Sequence, residues 1–572
     1  MSRSSDDEVL VTKNLKGGGI DRPTYRMGTP RLHWRGRYVR LTPWIAPLVI
    51  LIVVVIGAAM LFVRTSAWQS FAAGNPCILP GQGSFDYPGW LRALHWFNVL
   101  LMLILIKSGI QILADHPRLY RKINSLYDSE WLRFRGPVPR DREWTALDDS
   151  TYLNSKAGLP GGRHTSGMAR HWHYFAVAGW ITIGVLFIVL LFATGQWRQI
   201  VPTTVEMVPS AITCGVTYAS LHVPAGEELA QSLNSLQLLT YFSVVFIAAP
   251  LAILTGIAQS PAVGHHYRFM QRLFGNRQIA RSIHFLVWCF FCLFLVVHVI
   301  LVVVTGLRRN LGHIVLDQPN ETTWTGVIVG VVILLVIAAI LWWANWMSWV
   351  HPRRIQHTFQ RIAAHFNPIL FGTVVPRMHW KESDIGEYMW TNGAPPKSAE
   401  FSAMRDNGFR DYKLQVGGLV EQPKEFSLDD LRALGKHEQI TEHDCVQGWS
   451  GVAKWGGVQI SKVLEQVKPT AGARYAVFFG FPDDGKLENQ FYDVHDLKQM
   501  YHPDSILAYE MNGKELPLRH GSPLRLRNES EFGFKQVKWL QRIEIRDHYD
   551  DLFQGEGGFR EDNEFQSRSQ EI

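Results

Sequence analysis

The sequence predicts a membrane all-α bundle of six transmembrane helices, followed by a mostly-β α+β soluble domain. Six apolar stretches between residues 44 and 347 each have the length that a helix needs to cross a bilayer. Beyond about residue 350 the composition becomes that of a globular domain, and from about residue 411 short β-type runs alternate with turns. We therefore interpret the 572-residue chain as a fusion of a membrane region with a soluble domain.

The predicted boundaries follow these changes in composition. The six spans run over 44–63, 91–113, 173–194, 236–257, 283–306 and 324–347. The chain divides into a tail over 1–43, a membrane domain over 44–349, a proline-containing connector over 350–410, the soluble domain over 411–550 and a tail over 551–572. Because no cleavable signal or twin-arginine motif precedes the first span, we expect that span to act as the insertion signal.

The distribution of Lys and Arg predicts how the chain crosses the membrane. The tail before the first span and the loops after the second and fourth spans are basic, whereas the other loops carry few positive charges. Positive loops stay in the cytoplasm, so we expect the N-terminus and the soluble domain on the cytoplasmic side of the inner membrane. The net charge of +7 then reflects this topology and contact with anionic membrane lipid, and we expect no nucleic-acid partner.

The five cysteines fall into three groups. Cys77 and Cys214 lie in predicted outer loops, where a disulfide and two free thiols are both open interpretations. Cys289 and Cys292 lie within the fifth span, where we interpret them as small apolar helix residues. Cys445 belongs to the soluble domain.

Histidines in the spans are candidate functional residues, because a polar side chain inside a bilayer is costly. His284 and His298 lie on the fifth span, fourteen positions apart, which is close to four helical turns. They therefore share one face of the helix and are separated by about 21 Å along its axis. This spacing suits two stacked haems, one in each half of the bilayer.

Two other spans supply a partner at each depth. His95, near the outer end of the second span, matches the depth of His298. His173, at the inner start of the third span, matches His284, although His171 is an alternative to it. The sequence therefore predicts two haem irons, each with two axial histidines. The remaining histidines near span ends are expected to be solvated, namely His33, His116, His265, His266, His313 and His351.

The soluble domain is predicted to be mostly β with a few helices. The expected strands are 412–416, 475–479, 506–509, 524–526 and 538–545. Ser427, with Asp430 three positions later, has the pattern of a helix cap and predicts a short helix that begins after Ser427.

The membrane region resembles a known family. The sequence RALHW over 92–96, followed by Ser108 and Gly109, resembles the opening helix of the bacterial cytochrome b561 and hydrogenase or formate dehydrogenase cytochrome b family. His284 and His298, followed by Gly306, are similar to the final haem-binding helix of that family. The resemblance covers about 91–310 and implies b-type haems that exchange electrons with quinone. The first and sixth spans and the long loop over 115–170 depart from the family.

The soluble domain resembles a second family. The segment CVQGWS over 445–450, followed by WGGV over 455–458, resembles the molybdenum-ligand segment of the sulfite oxidase superfamily. The segments 506–513, 520–525 and 533–535 are similar to later segments of that superfamily, in the same order. The resemblance implies a molybdopterin-binding domain in which Cys445 is the molybdenum ligand and the catalytic residue. A soft thiolate is a suitable ligand for this metal.

Further cofactor contacts follow from the same resemblance. Arg525, Lys535 and the loop at Gly533 and Phe534 could supply the positive charge and backbone amides that a pterin phosphate needs. His520 would add a hydrogen bond to the cofactor, and Asn392 matches a further pterin contact of the family pattern.

Together the two resemblances imply a membrane-bound oxidoreductase. A two-electron molybdenum reaction in the cytoplasm, an oxygen-atom transfer, would exchange electrons through two b haems with quinone or an outer-face redox partner. The alternative is a transmembrane electron-transfer cytochrome whose soluble domain is a non-catalytic docking module. The residues after Cys445 lack the arginines that hold sulfite in sulfite oxidases. The segment is closer to the bacterial protein-methionine-sulfoxide reductase catalytic subunits, but those are exported whereas this domain is expected in the cytoplasm, so their substrate is not carried over. The expected partner is a small-molecule or sulfoxide-type substrate, and the sequence does not choose between them.

Overall fold

The structure is a computed structural model that carries side chains. It describes residues 27–79, 87–126, 129–139, 144–151, 153, 165–224, 233–318, 323–351, 354–362, 380–483 and 490–552. The first part of the predicted N-terminal tail, the middle of the connector and nearly all of the C-terminal tail lie outside the described residues.

The six predicted spans are confirmed as long apolar helices. The helices that carry them are Ile45–Phe62, Gly89–Asp115, Thr165–Ala193, Ser235–Ala258, Arg277–Val304 and Thr325–Val350. The fourth is helical over Ser235–Phe242 and Ala249–Ala258, with a π-helical segment at Ser243–Ala248 between them. Their outward faces are apolar, as at Leu51, Leu293 and Leu335, which is the pattern of helices that face lipid.

Shorter helices connect the spans or lie between the strands of the soluble domain. They are Ser66–Gly74, Ala146–Asp149, Met207–Ala219, Pro261–His266, Arg268–Phe274, Leu307–Leu316, Ala399–Asp406, Leu428–Ala433, Ile460–Val467 and Leu497–Met500. Helix Leu428–Ala433 begins as predicted, because the Ser427 hydroxyl accepts a hydrogen bond from the Asp430 amide and the Asp430 carboxylate accepts one from the Ser427 amide.

The loops at one end of the spans are joined by a disulfide bond. Cys77, between the first two spans, is bonded to Cys214, between the third and fourth spans, with the two Cα atoms 5.0 Å apart. The structure therefore selects the disulfide from the two interpretations that the sequence left open. Cys289 and Cys292 are free thiols, half-buried on the fifth span.

The soluble domain contains two five-stranded sheets, and the fold class predicted for it is confirmed. Its strands are β5 Lys413–Gly418, β6 Lys424–Ser427, β7 His437–Asp444, β8 Ser450–Gln459, β9 Tyr475–Gly480, β10 Tyr492–Asp496, β11 Ile506–Met511, β12 Lys514–Glu515, β13 Arg525–Arg527 and β14 Leu540–Arg546. One sheet has the order β10-β9-β14-β5-β6; the other has the order β12-β11-β8-β7, with β13 paired to β11. The main core lies between them and includes Leu414, Phe478 and Leu507, all fully buried.

Part of the region assigned to the connector belongs to the body of the soluble domain. Trp390 is 1% exposed and packs in the same cluster as Cys445, and Phe401 is fully buried in the main core. These large side chains contribute apolar burial that stabilises the domain, so its packed structure begins well before residue 411.

A small sheet is built from the segments that flank the first two spans. Strands β1 Arg31–Trp34 and β2 Arg37–Arg40 pair with β3 Arg118–Tyr120 and β4 Glu130–Arg133, in the order β2-β1-β4-β3. The loop that departs from the cytochrome family therefore has its own structure. Arg118 is buried between Glu130 and Asp149, with side-chain N···O distances of 2.7 and 2.6 Å.

The small sheet and the adjoining loop contact the soluble domain directly. The Asn124 side chain accepts a hydrogen bond from the amide of Val452 at 2.7 Å, and the Ser125 amide donates to the carbonyl of Ser450 at 3.0 Å. His116 and His265, which the sequence suggested would be solvated, are buried at this junction. That expectation was wrong for both, because the soluble domain covers this end of the spans.

Candidate functional site

The first histidine pair lies at the end of the spans that meets the soluble domain. The ring centroids of His173 and His284 are 6.5 Å apart. The Nδ1 atom of His173 lies 2.9 Å from the Ser108 hydroxyl, and that of His284 lies 3.0 Å from the Thr255 hydroxyl. The structure therefore brings together two side chains that are 111 positions apart (284 − 173) in the sequence.

The hydroxyl partners determine which ring nitrogen of each histidine is available. Ser108 donates its own hydrogen to the carbonyl of Ile104, and Thr255 donates to the carbonyl of Leu251. Each hydroxyl oxygen therefore accepts the Nδ1–H of its histidine, which leaves the Nε2 lone pair of both rings free. A hydrogen bond of this kind orients a metal-binding histidine and increases its basicity.

The second histidine pair lies toward the other end of the spans. His95 and His298 have ring centroids 6.4 Å apart, and His298 stacks on Phe294 at 5.6 Å. The buried Nδ1 atom of His95 has no hydrogen-bond partner among the described residues. Packing therefore does more than hydrogen bonding to hold the rings of this pair in position.

Both pairs have the separation that a shared metal ion requires. Two imidazole nitrogens, each about 2.0 Å from one metal ion, lie about 4 Å apart, and adding about 1.1 Å from each nitrogen to its ring centre gives slightly more than 6 Å. The observed 6.5 and 6.4 Å match this value. The four residues thus fit two bis-histidine haems.

His171 points elsewhere. Its Nδ1 atom lies 2.8 Å from the carbonyl of Gly167, and its ring packs against the tilted ring of Phe359 at a centroid distance of 5.5 Å. Of the two candidates on the third span, His173 is the one that faces His284.

Cys445 lies in the tight turn between β7 and β8. The Cys445 amide donates to the carbonyl of Trp449 at 3.0 Å, and Gly448 has φ of +106°, a conformation that a side chain would strain. The thiol is 3% exposed, and burial raises its pKa to about 12. A thiolate at this position therefore needs a bound cation, which fits a metal ligand.

Asn392 and Gln447 surround the sulfur. The side-chain nitrogen of Asn392 lies 3.7 Å from the Cys445 Sγ and donates to the side-chain oxygen Oε1 of Gln447 at 2.7 Å. The side-chain oxygen of Asn392 is buried and has no hydrogen-bond partner among the described residues. An unsatisfied acceptor beside the sulfur fits a missing cofactor contact.

A cluster of cations lies beside this turn. Arg525 and Arg527 share one face of β13 and both stack on the Trp455 ring, at 5.0 and 4.5 Å from its centroid. Burial and the charge of Arg527 lower the pKa of Arg525 well below its ordinary value. Burial, with Lys538 and Arg525, lowers the pKa of His520 to about 3. The cluster therefore repels further protons and suits an anionic group.

The remaining predicted residues lie in two places: Gly533 and Phe534 lie close to the Cys445 turn, and Lys535 is buried against Asp493. Gly533 approaches His443 so closely that a Cβ atom there would lie 2.4 Å from its Nε2, and Phe534 packs against the cluster that contains Cys445. Lys535 is fully buried and its ammonium group lies 2.6 Å from the Asp493 carboxylate. Its charge is therefore already balanced, as is that of Arg527, which pairs with the Glu529 carboxylate at 2.7 Å. Arg525 and Lys538 are better placed to bind a phosphate.

Two of those cations were not singled out from the sequence. The alternation of β13 could have identified Arg527, since it lies two positions after Arg525. Nothing in the sequence marks Lys538, whose ammonium group donates to the carbonyls of Asn392 and Arg519 at 2.6 and 2.8 Å.

The Cys445 turn rests on the fifth span. Asp444, directly before Cys445, accepts a hydrogen bond from Arg277 at 2.6 Å, and Gln278 donates to the carbonyl of Gly448 at 3.1 Å. Arg277 is the first residue of the helix that carries His284, seven positions later. The two positions are about 10 Å apart along the helix axis.

Two family models match separate parts of the chain. The model described as prokaryotic cytochrome b561 matches residues 86–315, and the model described as oxidoreductase molybdopterin binding domain matches residues 402–554. Both resemblances inferred from the motifs are thereby confirmed.

Relatives match shorter stretches. A protein provisionally named protein-methionine-sulfoxide reductase subunit YedZ1, from Azospira oryzae, is 32% identical over 159 residues, which cover 28% of this chain and 56% of the relative. The protein-methionine-sulfoxide reductase catalytic subunit MsrP of Xanthomonas axonopodis pv. citri is 34% identical over 144 residues, 24% of this chain and 44% of that protein. The chain thus spans about half the length of the curated relatives it matches.

A solved structure of the sulfane dehydrogenase SoxCD from Paracoccus pantotrophus is 24% identical over 24% of this chain and 39% of that one, with a TM-score of 0.22, too low for a comparison of geometry. The family matches and the six spans carry the conclusion. The chain is a multi-pass membrane protein in which one region matches the prokaryotic cytochrome b561 model, which implies b-type haem, and a second region matches the oxidoreductase molybdopterin binding domain model, which implies the molybdenum cofactor.

Proposed function

We propose that the chain is a membrane-bound oxidoreductase that couples a molybdenum-centred oxygen-atom transfer at Cys445 to electron transfer through two b haems. His173 and His284 would hold the inner haem, and His95 with His298 would hold the outer one. The observation that carries this proposal is the position of the Cys445 turn against the fifth span, where Arg277 contacts Asp444. This contact supports the proposal because the Cys445 turn and His284 lie toward the same end of one helix.

The molybdenum cofactor would supply the two-electron chemistry, and the haems would carry single electrons. The chain's own residues bind and orient these groups. Cys445 offers the thiolate, Asn392 offers an unsatisfied acceptor beside it, and the cation of Arg525 suits the pterin phosphate. The phosphate site would also use His520, Lys538 and the backbone around Gly533 and Phe534, whereas Lys535 would act mainly through its pair with Asp493.

We propose a sulfoxide as the substrate class. Relatives of the chain are named as protein-methionine-sulfoxide reductase subunits. Reduction of a sulfoxide consumes two electrons and two protons and releases a thioether and water, so it balances with delivery from the haems. Electrons would enter at the outer haem from quinone or an outer-face redox partner, and pass inward to the soluble domain.

The disulfide supports an orientation in the inner membrane that leaves the soluble domain on the cytoplasmic side. Disulfides persist in oxidising compartments, and Cys77–Cys214 joins the loops at the end of the spans opposite the soluble domain. The basic segment over 31–40 packs at the other end, in the small sheet near the soluble domain, as expected for positive segments that remain inside.

Anaerobic reoxidation of the haems tests the proposal. Detergent-purified full-length protein is first analysed for molybdenum and haem iron, with about one and two atoms per chain expected. It is then reduced with dithionite and mixed with methionine sulfoxide, while the haem absorbance is recorded. We expect the sulfoxide to reoxidise the haems.

The Cys445→Ser variant should abolish this reoxidation, because serine offers a hard hydroxyl where the metal needs a soft thiolate. Its haem spectrum should remain intact, since Cys445 lies outside the spans. The Cys289→Ser variant, which alters a free thiol of the fifth span, is the control and should react like the unmodified protein. Reoxidation that persists in Cys445→Ser would contradict the assignment, and molybdenum-free protein would favour the docking-module alternative.

A further inference from the structure

A second group of metal-binding side chains lies on the other face of β7. Along this strand Thr441 and His443 point toward Arg527, whereas Glu442 and Asp444 point toward the spans. His265, from the short helix Pro261–His266 between the fourth and fifth spans, meets them there. The ligand atoms of His265, Glu442 and Asp444 all lie within 4.8 Å of one another.

All three side chains are buried, and one of them is unsatisfied. Glu442 is 2% exposed, and no well-formed hydrogen bond to its carboxylate occurs among the described residues, although the Asp444 carboxylate and the Ser450 hydroxyl lie within reach. A buried carboxylate without a good donor is unfavourable unless a cation or a proton compensates it. The Glu442 carboxylate faces His265 and Asp444, so these three side chains need a cation or a proton to balance their charge.

Asp444 has one carboxylate oxygen that could bind a cation. Its Oδ1 accepts a hydrogen bond from Arg277 at 2.6 Å, and its Oδ2 lies 3.1 Å from the Nε2 of His265. Carboxylates that bind a metal through one oxygen are commonly hydrogen-bonded through the other. Two carboxylates face the single positive charge of Arg277, so a cation or a proton is needed to balance Glu442.

We propose that His265, Glu442 and Asp444 bind a divalent transition-metal ion of the zinc class between the two halves of the chain. One imidazole nitrogen and two carboxylate oxygens suit Zn²⁺, and three protein ligands leave a fourth position for water. His265 belongs to the membrane region and the two carboxylates belong to the soluble domain. The ion would therefore tie the Cys445 turn to the fourth and fifth spans, independently of the molybdenum and haem sites.

Metal analysis of the full-length protein tests this site. The protein is dialysed with zinc, washed free of excess metal and analysed for zinc, molybdenum and iron together. We expect about one zinc per chain, and an X-ray absorption spectrum at the zinc edge should show nitrogen and oxygen neighbours without sulfur. Absence of zinc would overturn the proposal and indicate that a proton compensates Glu442.

Two variants locate the ion. Glu442→Gln and His265→Asn should each weaken zinc binding by roughly 100-fold or more, because each removes a ligand. Glu438→Gln is the matched control, since Glu438 lies on the same strand but is exposed and pairs with Lys436 and Lys454. Haem absorbance and molybdenum content report whether each variant has folded. Zinc that remains in both ligand variants would place the ion elsewhere and overturn the proposal.

Discussion

The two histidine pairs differ in what holds them. At the end of the spans that the soluble domain covers, His173 and His284 each have a hydroxyl partner on Nδ1. At the opposite end, the Nδ1 of His95 has no partner among the described residues. Nearly equal ring separations are therefore reached in two ways, by hydrogen bonding at one end and by packing at the other. Under the proposed function, the pair beside the soluble domain is the inner pair, which exchanges electrons with the Cys445 site.

Removing one ligand from each pair should have the largest effect. His284→Ala and His298→Ala should each lower the haem content from about two to about one per chain, because a bis-histidine haem needs both ligands. Only His284→Ala should also prevent methionine sulfoxide from reoxidising the remaining haem, since the inner haem connects the soluble domain to the outer one. Haem extraction and the anaerobic reoxidation assay measure these outcomes. Equal reoxidation in the two variants would remove the functional distinction between the pairs.

Ion pairs at the two ends provide the next comparison. Arg277 and Asp444 form a buried pair at the end of the spans that meets the soluble domain. Arg277→Met leaves the Asp444 carboxylate with His265 as its remaining close partner, so it should destabilise the junction by about 3 kcal/mol, the lower end of the range for a broken buried pair. Arg92 and Asp317 form a partly exposed pair at the outer end, 3.9 Å apart, and Arg92→Met should cost about 0–1 kcal/mol. Thermal unfolding of the full-length protein, followed by tryptophan fluorescence, measures both. Similar losses in the two variants would indicate that the junction is not held by the buried pair.

Removing a hydroxyl partner should have the smallest effect. Ser108→Ala deletes the acceptor for the Nδ1–H of His173 and should lower the affinity for the inner haem by about 10–100-fold. Ser243→Ala is the control, because this serine of the fourth span donates to the carbonyl of Leu239. Titration of the haem-depleted protein with haem measures the affinities. An unchanged affinity in Ser108→Ala would mean that packing orients the inner pair as it does the outer one.

Local patterns explain why much of the fold was predictable. A membrane span consists of about twenty consecutive apolar residues, so its position can be predicted without knowledge of the tertiary structure. The fourth span was expected over 236–257, and the helix runs from Ser235 to Ala258, one residue further at each end. The capping arrangement at Ser427 is similarly local, since both hydrogen bonds join residues three positions apart.

The candidate site was predictable only where a motif or a helical spacing marked it. Cys445 stands in a recognisable segment, and His284 and His298 share a helix face by their spacing. The expectation that His116 and His265 are solvated failed because it treated loops at the span ends as exposed. The covering domain comes from a distant part of the chain, and no local pattern reports that contact.

The six spans, the depths of the four histidines and the soluble domain with its cysteine segment can all be inferred from the sequence, because each depends on residues close together in the chain. How these parts meet follows only from the folded structure. Arg277 reaches Asp444 across 167 positions, and His265 reaches it across 179. Pairings of this kind depend on how helices and sheets pack, so they have no signature in the sequence alone.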